Sequence, residues 1–252
     1  MQTTLNPVIV IPARLAATRF PDKPLADIDG DPMIVHVWRR AVEAGIAPVL
    51  VAAGDQRIVD AVLDAGGNAV ITDPGLPSGS DRVHQALKIY DPNRQYDTVI
   101  NVQGDLPTIE SRLITAVLGP FEDPDVDIAT LAVEISEDRE RTDPNVVKVV
   151  IALKDDDTRV GRALYFSRAT IPHAPYGPHY HHIGLYCFRR EALDRFVSIE
   201  QSNLERQERL EQLRALEVGM RVDVALVDTV PVGVDTPEDL DRVRNLLSGG
   251  PP

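Results

Sequence analysis

The sequence predicts an α/β fold: a mixed, mostly parallel sheet with helices on both faces and an inserted antiparallel portion. Three features predict it. Short apolar runs alternate with amphipathic stretches through the first half, the β-α-β-α rhythm that builds parallel sheets. The run "PVIVIPA" (Pro7–Ala13) is apolar and β-branched without interruption, as a strand covered on both faces is. The second half carries strand-like runs with few helices between them, which puts the antiparallel portion there.

Each element follows from local chemistry. After the first strand, "DPMIVHVWRRAVEAG" reads as a helix with Asp31 as cap, Pro32 at the first helical position and Gly45 at its end. Strand "APVLVAA", helix "DQRIVDAVLDAGG" and strand "NAVIT" come next. A loop rich in Pro, Gly and Ser (73–80) leads into a helix to about Tyr90, capped by Ser78 or Ser80. Strand "DTVINVQ" and helix "IESRLITAVLG" close the regular part. Beyond them "VDIATLAVEI", "NVVKVVIAL", "GRALYFS" and "HHIGLYCF" read as strands. "REALDRFV" and "NLERQERLEQLRALEVG" read as helices, "RVDVALV" as a strand, and a last helix starts at about Pro237. We read one domain over 1–252, with about 7–246 as its ordered core.

The chain has 252 residues and a formal net charge of −13. That balance argues against a nucleic-acid partner, which needs excess Lys and Arg. The single cysteine, Cys187, cannot form an internal disulfide and suits a reducing cytosol. The start "MQTTLNP" lacks a basic region and an apolar run, so a cytoplasmic protein without membrane insertion is expected.

Ligands of parallel sheets bind at the carboxyl ends of the strands. The loop after the first strand sits at such an end, as does "GDLP" after "VINVQ". In that first loop Arg14, Arg19 and Lys23 flank the small residues Ala13, Ala16, Ala17 and Thr18. Small side chains let backbone N–H groups approach an anion, and nearby cations neutralise it, so the loop suits a triphosphate. It matches neither the P-loop pattern nor the dinucleotide-binding G-x-G-x-x-G. An ordinary solvated loop is the competing reading.

"PARLAATRFPDKPL" resembles the signature loop of the cytidylyltransferases that activate acidic sugars, closest to the 3-deoxy-manno-octulosonate cytidylyltransferase (CMP-Kdo synthetase) family. The resemblance continues in order through "DPMIVHV", "SGSDR", "VINVQGD", "NVVKVV", "ALYFSRATIP", "HHIGLY", "LEQLRALEVG" and "GVDTPEDLDRVR". It implies a single nucleotide-diphospho-sugar transferase (GT-A-like) domain and a homodimer. It also implies transfer of CMP from CTP to 3-deoxy-D-manno-octulosonate (Kdo), with release of pyrophosphate, for lipopolysaccharide synthesis. Transfer to another acidic sugar, 8-amino-Kdo or a sialic acid, and a non-catalytic nucleotide-binding regulator are the alternatives.

In the implied reaction the anomeric hydroxyl of Kdo attacks the α-phosphorus. The protein has to align two polyanions and shield developing charge. A divalent cation between them has an obvious use, and Asp105 and Asp235 are the candidates to hold Mg2+. Asp235 also reads as a turn or cap residue before Pro237; Thr236 as the cap would leave it available. By resemblance, Arg14 and Lys23 contact the β- and γ-phosphates and Arg19 supports the loop, with Ala13 beside them. Ser78, Gly79 and Arg82 are implied near cytosine and triphosphate, and Gln103 near both substrates.

On the sugar side the resemblance implies Arg168, His182, Tyr186, Glu211 and Gln212. A guanidinium fork such as that of Arg168 suits a carboxylate. His182 and Tyr186, four apart on an expected strand, share a face. Without the resemblance, Glu211 and Gln212 read better as the wet side of an amphipathic helix. "HYHH" (179–182) invites a metal reading, but no remote cysteine pair supports one. Several positions depart from the family pattern: Leu15 for Tyr, Ala17 for Ser, Asp22 for Gly, and Leu106 for Glu. None removes a proposed metal ligand or main phosphate cation.

Overall fold

The computed structural model describes residues 5–15, 20–153, 159–173 and 176–248. They form two compact units, one of Thr115–Val230 and the other of the flanking stretches up to Ile114 and from Pro231.

The flanking unit is built on four parallel strands. β1 (Pro7–Ala13) lies between β4 (Val49–Ala53) and β6 (Thr98–Asn101), and β5 (Asn68–Ile71) pairs with β4. Ile9 stands opposite Val49 on one side and Ile100 on the other. Val8 to Ile11 are fully buried, as the unbroken apolar run requires. A 3-10 turn (Lys23–Leu25) and a small ladder of β2 (Asp27–Ile28) with β3 (Asp31–Pro32) follow β1. Helices α1 (Met33–Glu43), α2 (Gln56–Asp64), α3 (Gly79–Tyr90) and α4 (Ser111–Ala116) alternate with the strands.

Two expectations are corrected here. Asp31 does not cap α1; Pro32, in extended geometry, holds that position, and Asp31 lies in the β3 ladder. Its carboxylate is claimed by Arg39, whose hydrogen bond holds it below the usual carboxylate range. The predicted helix over "IESRLITAVLG" stops at Ala116, and a 3-10 turn (Gly119–Glu122) with Pro120 at its start follows.

The central unit is more antiparallel. It holds β7 (Ile128–Glu134), α5 (Asp138–Thr142), β8 (Lys148–Leu153), β9 (Val160–Ser167), β10 (Tyr180–Arg189), α6 (Arg190–Ser198), α7 (Asn203–Glu208), α8 (Leu213–Glu217) and β11 (Val222–Val227). β7 pairs with β10 antiparallel and with β11 parallel; β9 pairs antiparallel with β11 and β8. β8 in turn pairs with the start of β10, so the order returns on itself.

The helix expected over "NLERQERLEQLRALEVG" is two helices. Arg209 takes a left-handed conformation, φ 57°, and its N–H closes α7 on the Glu205 carbonyl. A buried ion pair spans the break, with Arg214 Nε donating to Glu205 Oε2 at 2.7 Å and the guanidinium lying over the Phe196 ring. The break turns Gln212 inward, where it is buried; it is not on a wet helix face.

The last helix, α9 (Pro237–Leu247), returns to the flanking unit. Its Leu240 and Val243 join Ile28, Met33 and Val234 in one apolar cluster, with Phe20 and Val232 packed against it.

Candidate active site

At the carboxyl ends of β1 and β6, beside the start of α3, the flanking unit opens a cleft of about 450 Å³. That is within the range of small-molecule sites, and it stands where parallel sheets place their ligands.

The floor depends on a glycine. A Cβ on Gly104 would stand 2.6 Å from the carbonyl oxygen of Pro12, so only glycine lets the chain after β6 lie against the end of β1. The next residue, Asp105, is thereby carried to the cleft edge. Its carbonyl accepts the N–H of Val234 at 2.9 Å, which ties the approach to α9 to the same place.

Asp235 follows Val234. Thr236 caps α9 and forms a capping box with Asp239, so Asp235 does not serve as the cap. Asp239 also accepts the Asp235 N–H at 3.1 Å. Burial works against the Asp239 charge, but the bonds from Asp235 and Thr236 prevail and hold its carboxyl below the usual range.

Asp105 and Asp235 meet on one cation. Lys23 Nζ donates to Asp105 Oδ2 at 3.0 Å, to the Val234 carbonyl at 2.7 Å and to Asp235 Oδ1 at 3.5 Å. The Lys23 side chain is 14% exposed, against 37% for Asp105 and 61% for Asp235. The ammonium therefore lies beneath the carboxylates, which face outward. Here Lys23 is turned toward these acids.

The opposite wall is cationic. Arg82 is buried on α3, with its Nη1 donating to Thr72 Oγ1 at 2.5 Å and to the Asp73 carbonyl at 3.1 Å. Burial and the nearby charge of Arg14 push its pKa down from the ordinary value. Arg14 itself is exposed at the mouth. Gly54 lets the two come together, since a Cβ there would sit 2.7 Å from Arg82 Nη1 and 3.3 Å from the Arg14 Cβ. Ser78 caps α3 by accepting the Asp81 N–H, and with Gly79 it lines the cleft. Ala13 and Gln103 line it as well, the latter donating to Asn101 Oδ1 at 3.3 Å. Arg19, Ala16, Ala17 and Thr18 fall outside the described residues.

Sequence reasoning missed Gly54, Gly104, Phe20 and Pro24, of which the last three line the cleft. A glycine directly after a strand was the available signal for the first two.

The remaining candidates lie in the central unit. Arg168, just past β9, is half-exposed; its Nε donates to the Glu208 carbonyl at 3.1 Å and its Nη1 to the Pro144 carbonyl at 2.9 Å. His182 and Tyr186 remain on one face, rings 5.5 Å apart, despite a bulge between Ile183 and Tyr186. His182 is buried against Phe166, with Nε2 2.9 Å from Thr130 Oγ1. Burial, helped by His181, pushes its pKa down to about 3, so it is neutral. Burial and the Glu211 carboxylate push the Tyr186 phenol up. Gln212 Nε2 is buried with no hydrogen-bond partner among the described residues. The "HYHH" histidines go separate ways, His179 to the Pro172 carbonyl, His181 toward Glu140 and His182 to Thr130.

The cytidylyltransferase family model matches residues 8–222. A 3-deoxy-manno-octulosonate cytidylyltransferase of Paramagnetospirillum magneticum is 62% identical over 243 residues, covering 96% of this chain and 98% of the relative. One of Rhodospirillum rubrum is 63% identical, covering 96% and 95%. Among solved structures, a CMP:2-keto-3-deoxy-manno-octonic acid synthetase complexed with CTP matches with a TM-score of 0.88 at 38% identity, covering 97% and 99%. A 4-diphosphocytidyl-2C-methyl-D-erythritol synthase of Anaerococcus prevotii shares the fold, with a TM-score of 0.64 at 14% identity over 97% and 99% of the chains.

Proposed function

This chain belongs to the 3-deoxy-manno-octulosonate cytidylyltransferase family, and from that premise we propose that it transfers CMP from CTP to Kdo, releasing pyrophosphate. The observation that carries the reading is the meeting of Asp105, Asp235 and Lys23 at the edge of the cleft. The two acids come from segments far apart in the chain and meet on the Lys23 ammonium, which supports reading them as a carboxylate pair that a metal ion could use.

The cationic wall suits the triphosphate. Burial first, and then the nearby Arg14 charge, depress the Arg82 pKa. An anion between them relieves that repulsion, so polyphosphate binding is favoured where the bare cleft is strained electrostatically. Ser78 and Gly79 present the start of the twelve-residue helix α3 to the same space, and helix starts favour anions. Ala13 and Gly104, both small, line the same cleft.

The donor set fits Mg2+. Two carboxylates supply hard oxygens, and this ion is commonly held by one or two acids with substrate oxygens and water. Asp105 and Asp235 would hold it, and when bound it supplies charge neutralisation between sugar carboxylate and α-phosphate and lowers the pKa of the attacking hydroxyl. Lys23 meanwhile fixes the two acids against one another and balances part of their charge.

On the sugar side, Arg168 is suited to the Kdo carboxylate by its fork of donors. The orphaned Gln212 amide supports a polyol ligand, since a buried donor without an acceptor is costly and a sugar hydroxyl would satisfy it. His182, held neutral, can donate or accept but carries no charge to the site. Tyr186 and Glu211 complete the polar set.

The family match runs through residues of both units, which supports reading them as one GT-A-like catalytic domain. A homodimer in the cytoplasm belongs to the same reading, and light scattering tests the stoichiometry. The decisive experiment is pyrophosphate release with CTP and Mg2+ over a panel of Kdo, 8-amino-Kdo and sialic acid. Release with Kdo is expected. CTP binding without release on any sugar would overturn the enzyme in favour of a regulator.

A further inference from the structure

Arg168 is held from several sides. Its backbone N–H donates to Glu208 Oε2 at 3.1 Å, and its Nε to the main-chain carbonyl of the same Glu208 at 3.1 Å. Its own carbonyl accepts from Lys148 Nζ at 2.7 Å. Lys148 is fully buried and spends its other two protons on the Asp143 and Val146 carbonyls. Arg168 Nη1 reaches the Pro144 carbonyl. Both the main chain and the inner edge of this arginine are thus fixed, while Nη2 has no hydrogen bond among the described residues.

Glu208 is the centre of this arrangement. Its Oε1 accepts from Ser167 Oγ at 2.8 Å and from the Tyr165 hydroxyl at 3.4 Å, while Oε2 takes the Arg168 N–H. Glu208 is also the last residue of α7, so its carbonyl is one the helix cannot pair internally. The left-handed turn at Arg209 ends the helix there and releases that carbonyl to the guanidinium. One residue therefore fixes Arg168 twice, with its side chain at the main chain and with its main chain at the side chain.

We propose that Glu208 is a positioning residue that locks Arg168 so that its Nη edge presents a fixed fork to the sugar carboxylate. This deepens the proposed function and rests on Arg168 being a sugar ligand. Both Glu208 oxygens accept from donors. A glutamine offers one acceptor oxygen and no charge: in one orientation its amide nitrogen opposes the Arg168 N–H, and in the other the Ser167 and Tyr165 hydroxyls must turn from donating to accepting. The Glu208→Gln exchange therefore loosens the side-chain hold on the Arg168 main chain while keeping the side chain's size.

The test is steady-state kinetics with Kdo and CTP varied separately. Arg168→Ala is expected to raise KM for Kdo about tenfold or more and leave KM for CTP within about twofold, the scale of losing one charge-assisted contact. Glu208→Gln is expected to raise KM for Kdo by roughly tenfold with the same split, and to add nothing in the Arg168→Ala background, since both act through one guanidinium. Ser167→Ala, which removes one donor to the carboxylate, should move the same constant by about threefold, and it decides alone if Glu208→Gln does not fold. An effect of Arg168→Ala with an unchanged KM for Kdo in Glu208→Gln and Ser167→Ala would overturn the positioning role alone. An additive loss in the double variant, or equal losses for CTP and Kdo, would make Glu208 merely structural and overturn it too. No effect of Arg168→Ala on KM for Kdo would remove the sugar-ligand reading and the positioning role together.

Discussion

Lys23 shows how one side chain settles two others. An ammonium has three protons, and here each meets an oxygen: Asp105 Oδ2, the Val234 carbonyl and Asp235 Oδ1. Removing the Asp105 charge while keeping its shape, as Asp105→Asn, should keep the fold and cost roughly 10²-fold or more in turnover, the scale of one lost electrostatic stabiliser. Pyrophosphate release at saturating Mg2+ measures it, and near-normal turnover would dismiss the role. Asp22, where the family often has glycine, has φ 56°, in the left-handed region. Aspartate tolerates that region, and its carboxylate accepts from Arg57 at 3.4 Å. Asp22→Ala should therefore be about 1 kcal/mol less stable than Asp22→Gly in urea; equal stability would contradict the backbone. His182 adds a pH dependence. Its folded pKa, about 3, lies below the ordinary histidine value, so the unfolded chain takes up the proton first as pH falls. Stability should fall below pH ~6.5 by about 1.4 kcal/mol per pH unit from this group until about pH 3. Burial pushes His181 down as well, with the same sign. Urea unfolding at two acidic pH values should show a shallower loss in His182→Gln than in the wild type.

At the scale of the element, caps and breaks place the chemistry. Thr236 starts α9, and Leu240 and Val243 then seat the helix on Ile28 and Met33, which holds the preceding Asp235 at the cleft. Thr236→Ala should cost about 1 kcal/mol, as loss of an N-cap does, and should raise the Mg2+ concentration needed for half-maximal turnover. A destabilised variant with an unchanged Mg2+ requirement would separate the cap from the site. The other decisive element is the break between α7 and α8. No glycine or proline marks it, and the sequence pattern reads as continuous helix. The buried Glu205–Arg214 pair and the left-handed Arg209 make the turn, and so bury Gln212 and free the Glu208 carbonyl. Glu205→Ala leaves Arg214 buried without its partner and should cost about 3–5 kcal/mol; chemical denaturation checks it.

For the whole molecule, a ligand that binds only the folded chain must stabilise it. CTP with Mg2+ at a hundred times its dissociation constant should add about 2.7 kcal/mol, read as a rise in melting temperature. Chelating the metal, or combining Asp105→Asn with Asp235→Asn, should abolish the Mg2+-dependent part of that rise. The same rise in the double variant would take the ion away from these acids. A chain of net charge −13 would have to bind such a polyanion through local charge, for which the Arg14 and Arg82 wall is the proposed source.

The sequence by itself determined the α/β alternation, because strand and helix periods are written in nearest neighbours. "PVIVIPA" can hardly be other than a buried strand, and "GVDTPEDLDRVR" carries its own cap. It also supplied the candidate acids and cations, through motifs long enough to be specific. Only the tertiary structure decided that Asp31 is a ladder residue paired with Arg39, that one helix is two, and that Gln212 is buried. It alone brought Asp105 and Asp235 onto one ammonium and made Gly104 obligatory against Pro12. The reason is physical: a buried ion pair, or a backbone approach under 3 Å, joins residues far apart along the chain, and no local periodicity records it.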